Sequence, residues 1–378
     1  MIKVLEIISD TNIGGAGRLL MNKINYSDKT RFKYTFVLPR NSLLSSQLKK
    51  AGARVIEIDG CKDRSFDLKT IIAFFKIIKN ISPNILNSHA CMSARIAGRL
   101  ALVDVNLYTR HCDFPIKKIY SVFPIKSLIG IVDNCLSDGI IAVSQSAKRN
   151  LVLRGTSSKK IKVIINGAKA LKLLSDEDRI KIKAGLNIPV NATVVSIFAR
   201  LEEYKDHRTF LRAAYVLRKF KNIYFLIIGN GSLEIELKNY AKRLGIENQV
   251  LFLGFVDDIT DLMNITDINV NCSIGTETSS LALSEGMSIG IPAIASDYTG
   301  NKYMIQDQVN GLIFSQKNYV ELAKKILLLS NDKKLYYELS NNAYKRFCEE
   351  LNAKRMTQET EKYYISLLKA GNSKIHFQ

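Results

Sequence analysis

The chain's 378 residues are 47% hydrophobic and 24% charged, with no repeat or low-complexity tract. This excludes a disordered, fibrous or solenoid protein and leaves enough apolar material for two cores. The formal charge of +20 is lopsided: residues 1–168 hold 27 basic and 11 acidic residues, and residues 169–378 hold 28 and 24. From the start, apolar β-branched runs alternate with amphipathic segments, the pattern of βα units on a parallel sheet. Strands are expected at 3–9 (KVLEIIS), 33–39 (KYTFVLP), 54–59 (RVIEID), 85–89 (ILNSH), 106–111 (NLYTRH) and 139–144 (GIIAVS). Helices follow most of them, most clearly DLKTIIAFFKIIKNI at 67–81. This half closes on KVIINGA at 162–168, where Asn166-Gly167 signals a turn.

The pattern then restarts. Strands are expected at 193–201, 223–231, 250–254, 268–273 and 292–297, and helices at 208–220, 236–245, 258–265, 319–330 and 332–351. A last helix runs from about Ala353 to Ala370. Two consecutive doubly wound sheets imply a cleft between them, with ligands at the carboxyl ends of the strands. No apolar stretch reaches the roughly 18 residues that a membrane-spanning helix needs. The start lacks the long apolar region of a signal peptide. The six cysteines are scattered with no C-x-x-C pair, which suits free thiols in a reducing cytoplasm.

Three segments carry chemistry. SDTNIGGAGRLL (9–20) follows the first strand, and Gly14, Gly15 and Gly17 would let a backbone approach an anion at the next helix. A dinucleotide fingerprint fails there, because the third glycine is missing and the second strand ends in VLPR without an acidic residue. A tight turn with no ligand is the other reading. FARLEEYKDHRTF (198–210) places Arg200 just past a strand and Lys205 in the loop beyond, a planar fork and a point charge for a diphosphate. GTETSSLALSEGMSIGIPAIASD (275–297) sets Glu277 in a loop and Glu285 in a helix from about Leu281 to Met287, with Thr278, Ser279 and Ser280 as candidates to cap it. From spacing alone, these two glutamates also suit a helix terminus and a solvent-facing position. The one acidic D-x-D string, Asp176-Glu177-Asp178, sits at a helix start, where the helix dipole explains it, so no metal site is expected.

Read together, the order is specific: a glycine-rich loop, Arg200 and Lys205, IIGNGSLEIELK, VLFLGFVDDITDLMNITDINVNCS, two glutamates separated by seven residues, GIPAIASD and VNGLIF. It resembles the retaining glycosyltransferases of family 4 over nearly the whole chain, most strongly from Val194 to Phe314. The resemblance implies a GT-B fold: two Rossmann-like, doubly wound α/β domains facing a central cleft. Residues 1–168 would bind the acceptor and 169–352 the nucleotide sugar, while 353–378 would pack back on the first domain as a helix. It implies that Arg200 and Lys205 hold the donor diphosphate, and that Glu277 with Thr278, Ser279 and Ser280 contacts the transferred sugar. Glu285 would bond the ribose, and Gly14 and Gly15 would close over the phosphates. His89 and His111, after strands of the first sheet, would orient the acceptor or the donor sugar. Family members commonly carry glycine and an aromatic after the first glutamate, so Thr278-Ser279-Ser280 departs from the pattern and leaves the sugar open.

The implied reaction transfers a sugar from a nucleotide diphosphate sugar to a hydroxyl with retention, by front-face displacement in which the leaving phosphate takes the acceptor proton. No metal or other cofactor is expected, and UDP is favoured over GDP. The basic front half and the segment FPIKKIYSVFPIKSLIG (114–130) point to an anionic membrane surface and a lipid-linked or cell-surface glycan acceptor, at the inner face of the cytoplasmic membrane. The alternatives are a soluble transferase acting on a small molecule or protein, a nucleotide-sugar 2-epimerase of the same fold, and a basic nucleic-acid-binding protein. No helix-turn-helix, zinc-finger or aromatic RNA-binding motif supports the last.

Overall fold

A computed structural model of the chain describes residues 1–9, 15–59, 67–89, 91–111 and 122–375, with side chains as far as residue 370. Two compact units divide it. One holds Met1–Gly167 and everything from Ala353 on, and the other holds Ala168–Asn352.

The first unit runs β1 (Ile2–Ile8), α1 (Gly15–Tyr26), β2 (Phe32–Pro39), α2 (Leu43–Lys50), β3 (Arg54–Ile58), α3 (Leu68–Ile81), β4 (Ile85–His89), α4 (Met92–Leu100), β5 (Val105–Arg110), α5 (Ile125–Leu136), β6 (Gly139–Ala142), α6 (Gln145–Leu153) and β7 (Ile161–Val163). All its strands are parallel, in the order β3-β2-β1-β4-β5-β6-β7. Period-two alternation sorts the faces. Leu5, Ile7 and Leu86 pack with Phe74, Ile78 and Ala94 in an apolar core with α3 and α4. The intervening Glu6 and Asn87 pair in register across β1 and β4, on the other face. That face is covered by α1 and by the last helix, α15 (Ala353–Ile375): Lys23 of α1 and Tyr364 of α15 both bond Glu6, and Glu361 of α15 accepts from Ser27 at 2.7 Å.

The second unit runs α7 (Asp176–Gly185), β8 (Thr193–Phe198), α8 (His207–Leu217), β9 (Ile223–Ile228), α9 (Glu234–Arg243), β10 (Val250–Gly254), α10 (Thr260–Asn264), β11 (Ile268–Asn271), α11 (Leu281–Met287), β12 (Ala293–Ser296), α12 (Thr299–Met304), β13 (Gly311–Phe314), α13 (Tyr319–Asn331) and α14 (Lys333–Arg346). Its parallel order is β10-β9-β8-β11-β12-β13. Both faces of the central strands are apolar, as buried parallel strands require. Val195, Ile197, Phe225 and Ile227 pack with Phe210 and Leu237 on one side, and Val194, Leu226 and Ile228 pack with Ile188 and Ile265 on the other. The acidic string at 176–178 is the exposed first turn of α7, capped by Ser175. Beyond the expected strands, GLIF at 311–314 adds an edge strand. Each sheet reverses its order once, between β1 and β4 and between β8 and β11, and such reversals open the crevices where α/β sheets hold ligands.

Candidate active site

In the second unit, the loops leaving β8 and β11 flank the reversal. Arg200 is exposed just beyond β8, and Lys205 follows in one turn of 3-10 helix. The loop after β11 carries Ser273, Glu277 and Thr278-Ser279-Ser280 into α11. Lys205 and Glu277, 72 residues apart in sequence, meet with Nζ 2.5 Å from Oε2. The same oxygen accepts from Ser273 Oγ at 3.0 Å and from Asn271 Nδ2 at 3.2 Å. Burial alone would raise the Glu277 pKa, but the Lys205 charge and these hydrogen bonds outweigh it and hold the group below its ordinary value. Glu277 is therefore a carboxylate, and its partner explains why it tolerates burial.

A second layer holds the first. Asn271 Oδ1 accepts from Ser273 N at 3.0 Å and Asn301 Nδ2 at 3.3 Å, and Asn301 also donates to Ser296 Oγ at 2.9 Å. α12 comes so close that a Cβ on Gly300 would stand 2.0 Å from the Glu277 carbonyl oxygen, so only glycine fits. Lys205, Asn271, Ser273 and Ser280 line a small pocket beside the ends of β8 and β11. Of the three capping candidates, Ser280 caps α11, accepting from Leu283 N at 3.4 Å. Glu285 is buried within α11, and Thr278 and Ser279 are buried in the loop before it. Since Glu277 offsets one of the two cations, the group Arg200, Lys205 and Glu277 carries a net charge near +1, less than two unpaired cations would.

In the first unit, His89 ends β4 and is 2% exposed. Its Nε2 lies 2.6 Å from Glu6 Oε2 and its Nδ1 2.6 Å from His111 Nε2, with the two rings stacked at 4.9 Å. Both ring nitrogens of His89 are therefore engaged within the first unit. Burial lowers the pKa of His89, and lowers that of His111 further with help from His89 and Lys23. Gly15 opens α1, whereas Gly14 lies outside the described residues, as do Lys117 and Lys118. Asn271, Ser273 and Asn301, and Glu6 with Lys23, escaped the sequence reading. The signals were present, an asparagine and a glutamate inside apolar strands (INVN and KVLEII), where an unpaired polar group is costly.

Two parallel doubly wound sheets, each reversing its strand order once, make the GT-B architecture. HepE of Anabaena, solved with UDP and glucose, has this fold: its TM-score against this chain is 0.84 at 21% identity, covering 97% of this chain and 100% of that one. The pattern described as Glycosyl transferases group 1 matches residues 178–346, and that of Glycosyltransferase Family 4 matches residues 13–169. The chain belongs to this family of nucleotide-sugar-dependent glycosyltransferases. Among its relatives is the UDP-Gal:alpha-D-GlcNAc-diphosphoundecaprenol alpha-1,3-galactosyltransferase of Escherichia coli, 23% identical over 97% of each chain. Another is the GalNAc-alpha-(1->4)-GalNAc-alpha-(1->3)-diNAcBac-PP-undecaprenol alpha-1,4-N-acetyl-D-galactosaminyltransferase of Campylobacter jejuni, 33% identical over 44% of this chain and 46% of that one.

Proposed function

We propose that the protein moves a sugar from a UDP-sugar, with retention and without a metal, onto a hydroxyl of a lipid-linked glycan at the cytoplasmic face of a membrane. The observation that carries this reading is the Lys205–Glu277 pair, set by Asn271 and Ser273 where the second sheet reverses. In the proposed reaction the bond between the sugar's anomeric carbon and the diphosphate breaks, and the diphosphate leaves with the electron pair. Arg200 and Lys205 meet that charge, and preorganised cations at a leaving group are the main electrostatic device of such chemistry. The acceptor oxygen bonds the anomeric carbon from the same face, and its proton passes to the departing phosphate. Glu277, held rigidly, orients Lys205 and reads a sugar hydroxyl, while Glu285 holds the nucleotide ribose.

Two observations support the acceptor. Both relatives named above act on undecaprenol-linked glycans. In the first unit, α5 and the residues before it expose Val122, Phe123, Leu128 and Ile131, with Phe123 at 80%. Between residues 122 and 162 there are seven basic and two acidic residues, and both acids are engaged: Asp133 by Arg95 at 2.9 Å and Asp138 by Arg99 at 2.6 Å. An exposed apolar stripe with an excess of cations over anions suits an anionic bilayer surface, each well-placed cation contributing about 1 kcal/mol. No helix among the described residues is long and apolar enough to cross the membrane.

The test is a thermal-shift screen of nucleotide sugars, then transfer to an undecaprenyl-diphosphate glycan with the anomeric configuration of the product read by NMR. A UDP-sugar should stabilise the protein and give a product of the donor's own configuration. Glu285→Gln should weaken nucleotide binding, and Glu277→Gln should lower turnover more than affinity. Inversion, or full activity in both variants, overturns the reading. Vesicles of anionic lipid should co-sediment with the protein and release it in high salt.

A further inference from the structure

Glu6 is fully buried on β1, and four donors converge on its carboxylate. Lys23 Nζ at 2.8 Å and Tyr364 OH at 3.0 Å reach Oε1, while Asn87 Nδ2 at 2.9 Å and His89 Nε2 at 2.6 Å reach Oε2. Burial pushes its pKa up, but the Lys23 charge and the bonds from His89 and Lys23 prevail and hold it at about 2. An ionised carboxylate only accepts hydrogen bonds, so the proton of His89 sits on Nε2. Lys23 already balances the Glu6 charge, and burial keeps His89 neutral, so its Nδ1 is a lone pair. The 2.6 Å bond between the histidines must then be donated by His111 Nε2. His111 is also neutral, disfavoured as a cation by burial and by His89, Lys23 and Arg110, so its own lone pair lies on Nδ1. Each protonation state follows from the one before it, along a chain that starts at Glu6.

We propose that Glu6 is a positioning residue that acts through His89 to fix His111 as a hydrogen-bond acceptor at Nδ1, the form that can take a hydrogen bond from a substrate hydroxyl. The substrate in that statement rests on the glycosyl-transfer reading above; the tautomers do not. The competing role for Glu6 is purely structural, tying α15 to the sheet through Tyr364. The alternation of tautomers separates the two roles, because fastening a helix needs no particular proton on His111.

The chain has four histidines, so 15N-histidine labelling resolves the ring nitrogens directly. In the wild type at pH 7, both His89 and His111 should read as neutral Nε2–H tautomers. In Glu6→Gln, Lys23 can only donate, so it keeps the amide oxygen and turns the NH2 group toward His89. Asn87 is held by Thr109, whose Oγ1 donates to its Oδ1 at 2.8 Å, and does not turn to compensate. Both histidines should then switch to Nδ1–H, while the signals of His207, in the second unit, stay put and report an intact fold. With the donor found by the screen, Glu6→Gln should lower kcat at least about tenfold with the donor KM changed less than about threefold, in keeping with one misplaced acid–base group. Glu6→Gln with His111→Ala should be no slower than His111→Ala alone. A wild-type His111 protonated at Nδ1, unchanged tautomers in Glu6→Gln, or losses that multiply in the double variant would each overturn the proposal. If no nucleotide sugar is turned over, the transfer reading falls, and the spectra still decide the role of Glu6.

Discussion

Among the described residues each unit buries one lysine–glutamate pair beside its sheet reversal, and the two differ in what encloses them. Lys23–Glu6, at 2.8 Å, lies on the sheet face under α1 and α15, with side chains 6% and 0% exposed. Lys205–Glu277, at 2.5 Å, lies in the loops beyond the strand ends, and Lys205 remains 17% exposed. The Glu6 carboxylate is completed by Asn87, His89 and Tyr364, whereas around the second pair the short polar side chains hold the glutamate and leave the cation at the edge. A sealed pair sets geometry; a pair with an accessible cation can share it with an incoming anion. Net charge divides the same way. The first unit holds 32 basic and 13 acidic residues and the second 23 and 22. The membrane-facing role proposed for the first unit calls for a broad positive field, and the nucleotide binding proposed for the second needs only local cations.

The sharpest break of this comparison is Lys23→Met. It strands the Glu6 charge in the interior and should cost about 3–5 kcal/mol, read as a lower urea midpoint. Adding Glu6→Leu should restore much of that loss. Lys205→Ala should act on function instead, lowering turnover by on the order of 10²–10³ with a smaller loss of stability, because solvent reaches the vacated position. Equal stability losses in the two variants would show that the pairs are not distinct in kind.

Acid should act on the buried imidazoles before the buried carboxylate. His207, 2% exposed at the start of α8, has neither ring nitrogen hydrogen-bonded among the described residues, and burial lowers its pKa from 6.5 to about 4. Its contribution to stability is full above pH 6.5 and is lost as pH falls toward 4, about 3 kcal/mol in all. Glu6 titrates from 4.5 in the unfolded chain to about 2 in the fold, so its contribution is full above pH 4.5 and is lost only as pH falls toward 2. Urea midpoints between pH 7 and pH 4 should therefore drop in the wild type and drop less in His207→Leu, where the remaining loss comes from His89 and His111, whose pKa values burial also lowers. A wild-type midpoint that does not move over that range would refute this ordering. Gly300→Ala should also destabilise, by at least about 1–3 kcal/mol, because its methyl group must push the Glu277 backbone carbonyl aside, and turnover should fall alongside stability.

Much of the architecture was legible because the strands are apolar on both faces and stand out as β-branched runs between amphipathic helices. Edge strand GLIF was not, since four residues after a turn carry too little periodicity. Arg200, Lys205, Glu277 and Glu285 were legible as candidates from their order along the chain. That Lys205 grips Glu277 was not, because the contact closes across three crossover connections. Glu6 was overlooked because one glutamate in KVLEIIS reads as an outward-facing residue; its face is covered by a helix that begins at Ala353.

From sequence alone came the alternation of strands and helices, the family resemblance and the uneven charge, all properties of local pattern and composition. Tertiary structure decided the partners: Lys205 for Glu277, Glu6 for His89, and His89 for His111. The physical reason is that a buried charge is tolerated only beside its complement, and that complement is brought up by folding from far along the chain.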